Sequence, residues 1–285
     1  MIISAKAKIA GVIGYPIEHS LSPLMHNYLL EKNNIDGAYI PLSVHPNDLS
    51  DFCNYLKKSN LQGVNVTIPH KENIMQYLDD IDGVAQVIGA VNTIYKANGK
   101  LIGSNSDAYG FIENLKLAIA DLSSSLPKLS DMNVMIIGAG GAARAAIYGL
   151  LQENIRIIYL TNRSKERAIN LQQIAREKIE IINYVDKEDV LNNVDLLINT
   201  TSLGMIGQSE LSIDLANLKA KSIVYDIVYN PLHTNLLKQA QDRAHHIVTG
   251  IGMLLHQAVV GFTKWYDIEP IINDELAQYL LESQI

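Results

Sequence analysis

The sequence predicts an α/β protein of two domains, on three observations. Strand-like apolar runs alternate with helix-like amphipathic runs along most of the 285 residues, which is the βαβ rhythm of a largely parallel sheet. A serine-rich segment, 120–133, interrupts this rhythm, and a second βα series follows it. The second series opens on a strand that runs directly into a glycine-rich turn and a helix, as in a Rossmann-type doubly wound sheet.

Composition favours a soluble globular protein and excludes several classes. Hydrophobic residues make up 48% of the chain, charged residues 19%, and the formal net charge is −7. This charge disfavours nucleic acid as the main partner, because phosphate binding needs a basic face, but it leaves room for a local basic patch that binds a small anionic ligand. No apolar stretch approaches the roughly 20 residues of a membrane span, and no secretory signal pattern is visible. The single cysteine, Cys53, excludes an intrachain disulfide, so we expect a cytoplasmic protein without nucleic-acid or membrane partners.

The first domain is predicted over residues 1–107. Strands are expected at 8–14, 38–44 and 63–69, with helices at 22–33 and 46–58 between them. A hairpin follows over 91–105, because Asn98-Gly99 is a strong turn pair.

The third strand, "GVNVTIP", carries polar groups at its end. Val64, Val66 and Ile68 alternate with Asn65 and Thr67, which predicts one buried face and one polar face. His70 and Lys71 follow directly. An amide, a hydroxyl and an ammonium at one strand end indicate either a solvated edge with a helix start or a binding site.

The second domain is predicted over residues 108–250, with the helix 108–120 as connector. Its strands are expected at 133–138, 156–161, 180–184, 194–199 and 222–227. Residues 251–285 are predicted to form two helices that return to the first domain and close a cleft between the domains. Closure would exclude water from a reaction there.

The glycine turn at 138–143 has the G-x-G-x-x-A pattern of a dinucleotide site. Gly138 permits the tight turn, Gly140 lets the backbone approach a pyrophosphate, and Ala143 allows close helix–strand packing. The N–H groups at the start of the following helix favour an anion. A plain tight turn is the alternative interpretation.

The end of the next strand distinguishes between cofactors. NAD sites place an acid there to accept from the ribose 2′-hydroxyl. This chain has Asn162, Arg163 and Ser164, with Arg167 one turn later, and no acid at the tip. Two guanidiniums and a hydroxyl predict a 2′-phosphate and therefore NADP, unless this segment is only a capped and solvated helix start.

Two serines precede the first helix. Ser22 is a natural N-cap and Pro23 a natural first helical residue. Capping does not account for Ser20, nor for His26 and Asn27 on the helix. Two hydroxyls beside a helix start also suit a carboxylate.

At this point the chain resembles the shikimate dehydrogenase family, whose motifs occur in family order over nearly its whole length. They are "PIEHSLSPLMHN", "GVNVTIPHK", "GAVNT", "GSNSDAYG", "GAGGAARA", "NRSKER", "NTTSLGM", "YDIVYNP" and "GIGMLLHQA". The resemblance implies NADPH-dependent, reversible reduction of 3-dehydroshikimate to shikimate, on the chorismate route to aromatic amino acids. Ser106 and Ser164 stand where the family usually has threonine, and both keep the hydroxyl.

The resemblance also implies roles for individual residues. The substrate carboxylate would contact Ser20 and Ser22, with Tyr229 assisting. The ring hydroxyls and the reacting oxygen would contact Asn65, Thr67, Asn92, Asp107 and Gln257. Lys71 and Asp107 would be the catalytic pair. The cofactor would contact Gly138, Ala139, Gly140, Gly141, Ala142, Asn162, Arg163, Ser164, Arg167, Thr200, Ser202, Ile227 and Gly250.

Several alternatives remain open from the sequence. Lys71 could be a solvated helix-start lysine, and Asp107 the N-cap of the 108–120 helix. Either residue of the pair could transfer the proton. A related enzyme acting on quinate, with relaxed choice of substrate or cofactor, and a nucleotide-sensing regulator are the competing functions. No metal-ligand spacing is present, and the chain is expected to be a monomer or homodimer.

Overall fold

The computed structural model describes residues 3–122 and 126–283. The chain divides into two compact units, one comprising residues up to Asp107 and from Leu255 onward, the other Ala108–Leu254. Of the predicted serine-rich linker, residues 123–125 lie outside the described residues. Among the helices of these described ranges, none has the length and apolarity needed to cross a bilayer.

Twelve strands and nine α-helices are assigned within the described ranges. The first nine strands and six helices in chain order are β1 (Lys8–Gly14), α1 (Ser22–Lys32), β2 (Gly37–Ser43), α2 (Leu49–Lys58), β3 (Leu61–Val66), β4 (Asp80–Ile81), α3 (Gly83–Ile88), β5 (Thr93–Ala97), β6 (Lys100–Ser104), α4 (Asp107–Asp121), β7 (Asn133–Ile137), α5 (Gly141–Gln152), β8 (Ile157–Thr161), α6 (Lys165–Gln172) and β9 (Ile179–Ile182). The remainder are β10 (Leu196–Asn199), β11 (Ile223–Asp226), α7 (Asn235–Asp242), β12 (His246–Val248), α8 (Ile251–Tyr266) and α9 (Asp274–Glu282).

The first unit is built on a mixed sheet in the order β2-β1-β3-β5-β6-β4. Strand β1 is parallel to both β2 and β3, as the βαβ rhythm predicts. The predicted hairpin then adds β5 and β6 in antiparallel orientation, so the sheet is mixed rather than largely parallel. Since β1 and β3 are central and adjacent, the loops after their carboxyl ends lie side by side.

Helices α8 and α9 contribute to the core of this unit. Phe262 and Trp265 of α8 and Leu276 of α9 belong to the same buried cluster as Met25 of α1. The Trp265 indole also donates a hydrogen bond to the carbonyl of Ile94, at 3.0 Å. The C-terminal segment is thereby fixed to both a helix and a strand of this unit.

The second unit contains a fully parallel sheet in the order β12-β11-β10-β7-β8-β9. The strand order reverses beside β7, the strand that enters the glycine turn, and this is the ligand-binding switch point of a doubly wound fold. All five strands predicted here are present. The sixth, β12, was missed because its three residues, His246–Val248, are too short for a periodic pattern.

The structure corrects the prediction for β3. This strand ends at Val66, and Ile68 lies beyond it with 75% of its surface exposed, so Ile68 does not belong to the buried face. Conversely Asn65, on the polar face, is only 6% exposed. The strand lies between β1 and β5, and its polar face is therefore an interior face rather than a solvated edge.

The starts of two helices also differ from prediction. Helix α1 begins at Ser22 itself, with Leu21 at the N-cap and no side-chain cap, and Pro23 is within the first turn. The predicted 46–58 helix divides into a 3₁₀ turn, Pro46–Asp48, and α2. Because Ser22 is not the cap, capping does not explain that serine.

Gly63 of β3 lies against the Trp265–Ile94 contact, which generates a test of the fold. A Cβ atom at Gly63 would overlap the Ile94 carbonyl oxygen and the Trp265 indole nitrogen, whereas one at Gly83 would meet nothing within 4 Å. We expect Gly63→Ala to lower the free energy of unfolding by about 3 kcal/mol or more, through overpacking and the lost hydrogen bond. Gly83→Ala should change it by less than about 1 kcal/mol. Urea denaturation of both variants checks this, and equal stabilities would contradict it.

Candidate active site

Lys71 and Asp107 form a direct ion pair in the first unit. The Lys71 ammonium lies 2.7 Å from Asp107 Oδ2, and the two side chains are 32% and 17% exposed. Lys71 follows β3, and its backbone carbonyl accepts a hydrogen bond from Val91 at 2.7 Å. Asp107 is the first residue of α4, and the side chain of Asn105 accepts its N–H at 2.9 Å. The tertiary fold therefore joins two residues 36 positions apart.

Asn92 fixes the orientation of that carboxylate. Its amide nitrogen donates to the second oxygen of Asp107 at 2.7 Å and to the Ser106 hydroxyl at 3.0 Å. Its amide oxygen accepts from the Ser106 backbone and from the Thr93 hydroxyl, at 2.8 and 2.9 Å. Both carboxylate oxygens are thus occupied as acceptors, which holds Asp107 in place for Lys71.

Two residues of this network were not predicted as site residues. Thr93 lies between Asn92 and Asn65, since the Asn65 amide reaches its hydroxyl at 3.3 Å. Ser106, fully buried, lies 3.3 Å from the side-chain oxygen of Gln257 on α8. Their sequence signal is a hydroxyl beside a polar site residue, which is too common to stand out. The hydroxyl of Ser106 makes these bonds without the methyl of the family's usual threonine.

The other predicted substrate residues in this unit follow β1 and β3, in the loops after these strands and at the start of α1. Ser20 and Ser22 are half-buried, and the Ser20 hydroxyl accepts the Ser22 backbone N–H at 3.3 Å. Thr67 is half-buried, and its backbone is tied to Ile13 of β1. His70 is buried with Nε2 2.8 Å from the Val44 carbonyl, as suits the packing role predicted for it.

The glycine turn of the second unit fits a dinucleotide phosphate. Gly138 has φ +116°, a conformation that favours glycine, and a Cβ there would lie 2.5 Å from Thr200 Oγ1. Beyond Gly140 and Gly141 there is open space, and no side chain caps the start of α5. An uncapped helix N-terminus facing open space has the N–H groups and dipole that bind a pyrophosphate.

The tip of β8 fits a second phosphate. Arg163, Ser164 and Arg167 are exposed, and neither arginine takes part in an ion pair with any described residue. Ser164 is the N-cap of α6, as expected, but its hydroxyl makes no capping bond. Asn162 instead bonds the Ser164 carbonyl at 2.8 Å and shapes the turn.

The remaining predicted cofactor residues follow β10, β11 and β12. Thr200 donates to the Ile137 carbonyl at 2.8 Å, and Ser202 is exposed. Gly250 is buried where a Cβ would overlap the Ile227 carbonyl, so it permits a close backbone approach to Ile227. Tyr229, in the same loop as Ile227, is half-buried, and burial raises its pKa.

Asp226, at the end of β11, was not predicted and is fully buried. It accepts hydrogen bonds from Asn199 and the Val228 backbone at 3.0 Å and from the Thr234 hydroxyl at 2.7 Å. Burial raises the pKa of Asp226 to about 6, which these bonds oppose and the charge of Glu210 reinforces. Asp226 thus fixes both ends of the loop that carries Ile227 and Tyr229.

Within residues 3–122 and 126–283, no cluster of three or more His, Cys, Asp and Glu side chains could hold a metal ion.

A two-unit α/β protein with a paired lysine and aspartate and an open dinucleotide turn has the features of a cofactor-dependent oxidoreductase. Two family models match the chain: "Shikimate dehydrogenase substrate binding domain" over residues 12–94 and "Shikimate / quinate 5-dehydrogenase" over 120–231. A relative from Paramagnetospirillum magneticum, "Shikimate dehydrogenase (NADP(+))", is 44% identical over 98% of this chain and all of its own length.

Solved structures agree with this assignment. A shikimate dehydrogenase crystallised with NADP+ has a TM-score of 0.88 and 37% identity, covering all of this chain and 98% of its own. The Thermus thermophilus enzyme in complex with NADP(H) and shikimate has a TM-score of 0.84 and 28% identity, covering 98% of this chain and all of its own. The chain belongs to the shikimate dehydrogenase family.

The buried carboxyl of Asp226 predicts a pH dependence of stability. Its pKa is about 6 in the folded protein and 3.8 as its ordinary value. Between these values the folded state retains a proton that the unfolded state has lost, so stability falls as pH rises from about 4 to about 6. Two pKa units correspond to about 3 kcal/mol at most.

Asp226→Asn keeps the shape and removes the titration. We expect the unfolding free energy of wild type, relative to this variant, to decrease by up to about 3 kcal/mol from pH 4 to pH 7. Urea denaturation of both proteins across this range measures the difference. Parallel stability curves would contradict the assignment.

Proposed function

We propose that this chain catalyses the reversible, NADPH-dependent reduction of 3-dehydroshikimate to shikimate. The observation that carries the proposal is the Lys71–Asp107 pair, fixed by Asn92 at 2.7 Å, within the unit that contains the substrate-binding-domain match. The proposal includes a cytoplasmic location, because a free, buried cysteine such as Cys53 is typical of a reducing compartment. It also includes a monomeric or homodimeric state.

The reaction divides between cofactor and protein. Bound NADPH supplies a hydride to the ring carbon. The chain must hold the substrate and deliver a proton to the carbonyl oxygen. A nucleotide-sensing regulator would need no proton donor, so the fixed lysine favours an enzyme.

Lys71 is the proton donor in this proposal. Both oxygens of Asp107 accept hydrogen bonds, from Lys71 and Asn92, so Asp107 is placed as the acceptor of the pair. The ammonium of Lys71 has three N–H groups, of which Asp107 takes one, and its side chain is one-third exposed to a ligand. Asp107 orients this ammonium and balances its charge.

Substrate recognition is assigned to the polar residues around this pair. Ser20 and Ser22 bind the carboxylate, with Tyr229 assisting. The hydroxyls and the carbonyl oxygen contact Asn65, Thr67, Asn92 and Gln257. Both serines are half-buried, and Ser22 is not the N-cap of α1, which supports this assignment.

The second unit binds the cofactor in this proposal. Residues Gly138–Ala142 hold the pyrophosphate, and the tip of β8 holds the 2′-phosphate through Arg163, Ser164 and Arg167, with Asn162 shaping the turn. Thr200, Ser202, Ile227 and Gly250 line the nicotinamide end. Domain roles follow: residues 1–107 with the C-terminal helices bind substrate, and residues 108–250 bind NADP(H).

Initial rates at 340 nm in a two-by-two design test the function: shikimate or quinate, with NADP or NAD. We expect efficient turnover only with shikimate and NADP.

Arg163→Ala should lower kcat/KM for NADP about ten- to a hundredfold, because a charge-assisted hydrogen bond to the 2′-phosphate is lost, and it should change kcat/KM for NAD little. Arg176→Ala, an exposed arginine bonded to Gln173, is the matched control. Comparable rates with quinate or NAD would indicate a related enzyme with relaxed choice of substrate or cofactor. A folded protein that binds NADP but shows no turnover would indicate a nucleotide-sensing regulator.

Replacement of Lys71 tests the proton donor. Lys71→Ala should reduce kcat by about 10²–10⁴, because a positioned acid contributes that much, while the fold is retained. Lys57→Ala removes a lysine that is paired with Asp79 in the same unit and serves as control. Steady-state rates and circular dichroism of both variants check this. Near-normal kcat for Lys71→Ala would remove Lys71 from the mechanism.

A further inference from the structure

Tyr39 of β2 is held rigidly by two consecutive residues of α1, His26 and Asn27. The Asn27 side chain donates to the Tyr39 carbonyl at 2.8 Å and accepts the Tyr39 N–H at 3.0 Å. The His26 ring stacks on the Tyr39 ring, with centroids 4.0 Å apart and planes 8° from parallel. Backbone and ring of an edge-strand tyrosine are thus both fixed from the same helix.

His26 contributes a neutral surface to this arrangement. The side chain is fully buried, and among the described residues no hydrogen bond of normal geometry reaches either ring nitrogen. Burial lowers the pKa of His26 to about 3, opposed by the nearby Asn65 amide. The imidazole therefore stays uncharged at neutral pH and stacks as a flat ring.

The Tyr39 hydroxyl joins two residues of the proposed substrate site. It donates its one proton to Asn65 Oδ1 at 2.6 Å, and the Ser22 hydroxyl lies beside it at the start of α1, where it lowers the pKa of Tyr39 against the larger effect of burial. Tyr39 itself is 1% exposed. It can therefore act on a ligand only through Ser22 and Asn65.

This bond determines which way the Asn65 amide faces. Its nitrogen donates to the Asn92 carbonyl at 3.0 Å and to the Thr93 hydroxyl at 3.3 Å. Its oxygen accepts from Tyr39, so every contact agrees on one of the two amide orientations. Asn65 then has only a lone pair of Oδ1 left for a ligand, and can accept from a hydroxyl but not donate.

We propose that Tyr39 is a positioning residue for substrate binding: its hydroxyl holds Asn65 as a hydrogen-bond acceptor for a substrate hydroxyl. This inference rests on the proposed function. It also accounts for His26 and Asn27, which no capping or catalytic role explains.

Tyr39→Phe removes only the hydroxyl and provides the test. Without it, the Asn65 oxygen lacks a buried donor, and the amide can turn its nitrogen toward the substrate. We expect KM for shikimate to rise about tenfold or more, kcat to change less, and KM for NADP to stay within twofold. Tyr266→Phe is the matched control, since Tyr266 is buried in the same cluster and its hydroxyl bonds backbone groups, the Ala38 carbonyl at 3.2 Å and Ala10.

A double-mutant cycle separates positioning from general loosening. If Tyr39 acts mainly through Asn65, Tyr39→Phe should raise KM in the Asn65→Ala background by a much smaller factor than in wild type. An unchanged KM in Tyr39→Phe, or an equal rise in Tyr266→Phe, would overturn the proposal.

A crystal structure of the wild-type protein provides a second test, which does not depend on whether Tyr39→Phe folds. The Tyr39 oxygen should lie within hydrogen-bond distance of Asn65 Oδ1, and a separation above 3.5 Å would overturn it. Wild-type protein that is inactive with shikimate would contradict the proposed function instead.

Discussion

Both oxygens of the Asp107 carboxylate accept hydrogen bonds, one from Lys71 and one from Asn92. The arrangement of the polar side chains in the first unit depends on that constraint. An ammonium fixed by one carboxylate oxygen keeps its other N–H groups for a ligand. Asn92 in turn needs its own oxygen satisfied, which the Ser106 backbone and Thr93 supply. The polar network therefore extends through the interior along β5 and the start of α4.

Such a network is stable only when it is complete. A buried amide that loses one partner costs about 1–3 kcal/mol, more than a typical hydrogen bond contributes. The contacts from Tyr39 through Asn65 and Thr93 to Asn92 continue without a break. This explains why hydroxyls with no expected contact to substrate occupy interior positions of the sheet, where apolar residues are usual.

Each unit contains a carboxylate with defined hydrogen-bond partners, and the two environments differ in charge and in access to water. Asp107 has a cation beside it and partial access to water. Asp226 has only neutral donors around it, so burial raises its pKa to about 6. The first arrangement suits proton chemistry at a ligand, whereas the second holds a loop in place at some cost in stability at neutral pH.

The sequence by itself determined the two-domain α/β class, the glycine turn and most elements, because apolar periodicity and turn residues act locally. Ordered motifs likewise named the Lys71 and Asp107 positions. Only the tertiary structure decided that Ile68 is exposed and Asn65 buried, since the strand ends at Val66. It also revealed the hydrogen bonds of Tyr39 and Asp226, because a hydrogen bond between residues distant in sequence leaves no periodic signal in either segment.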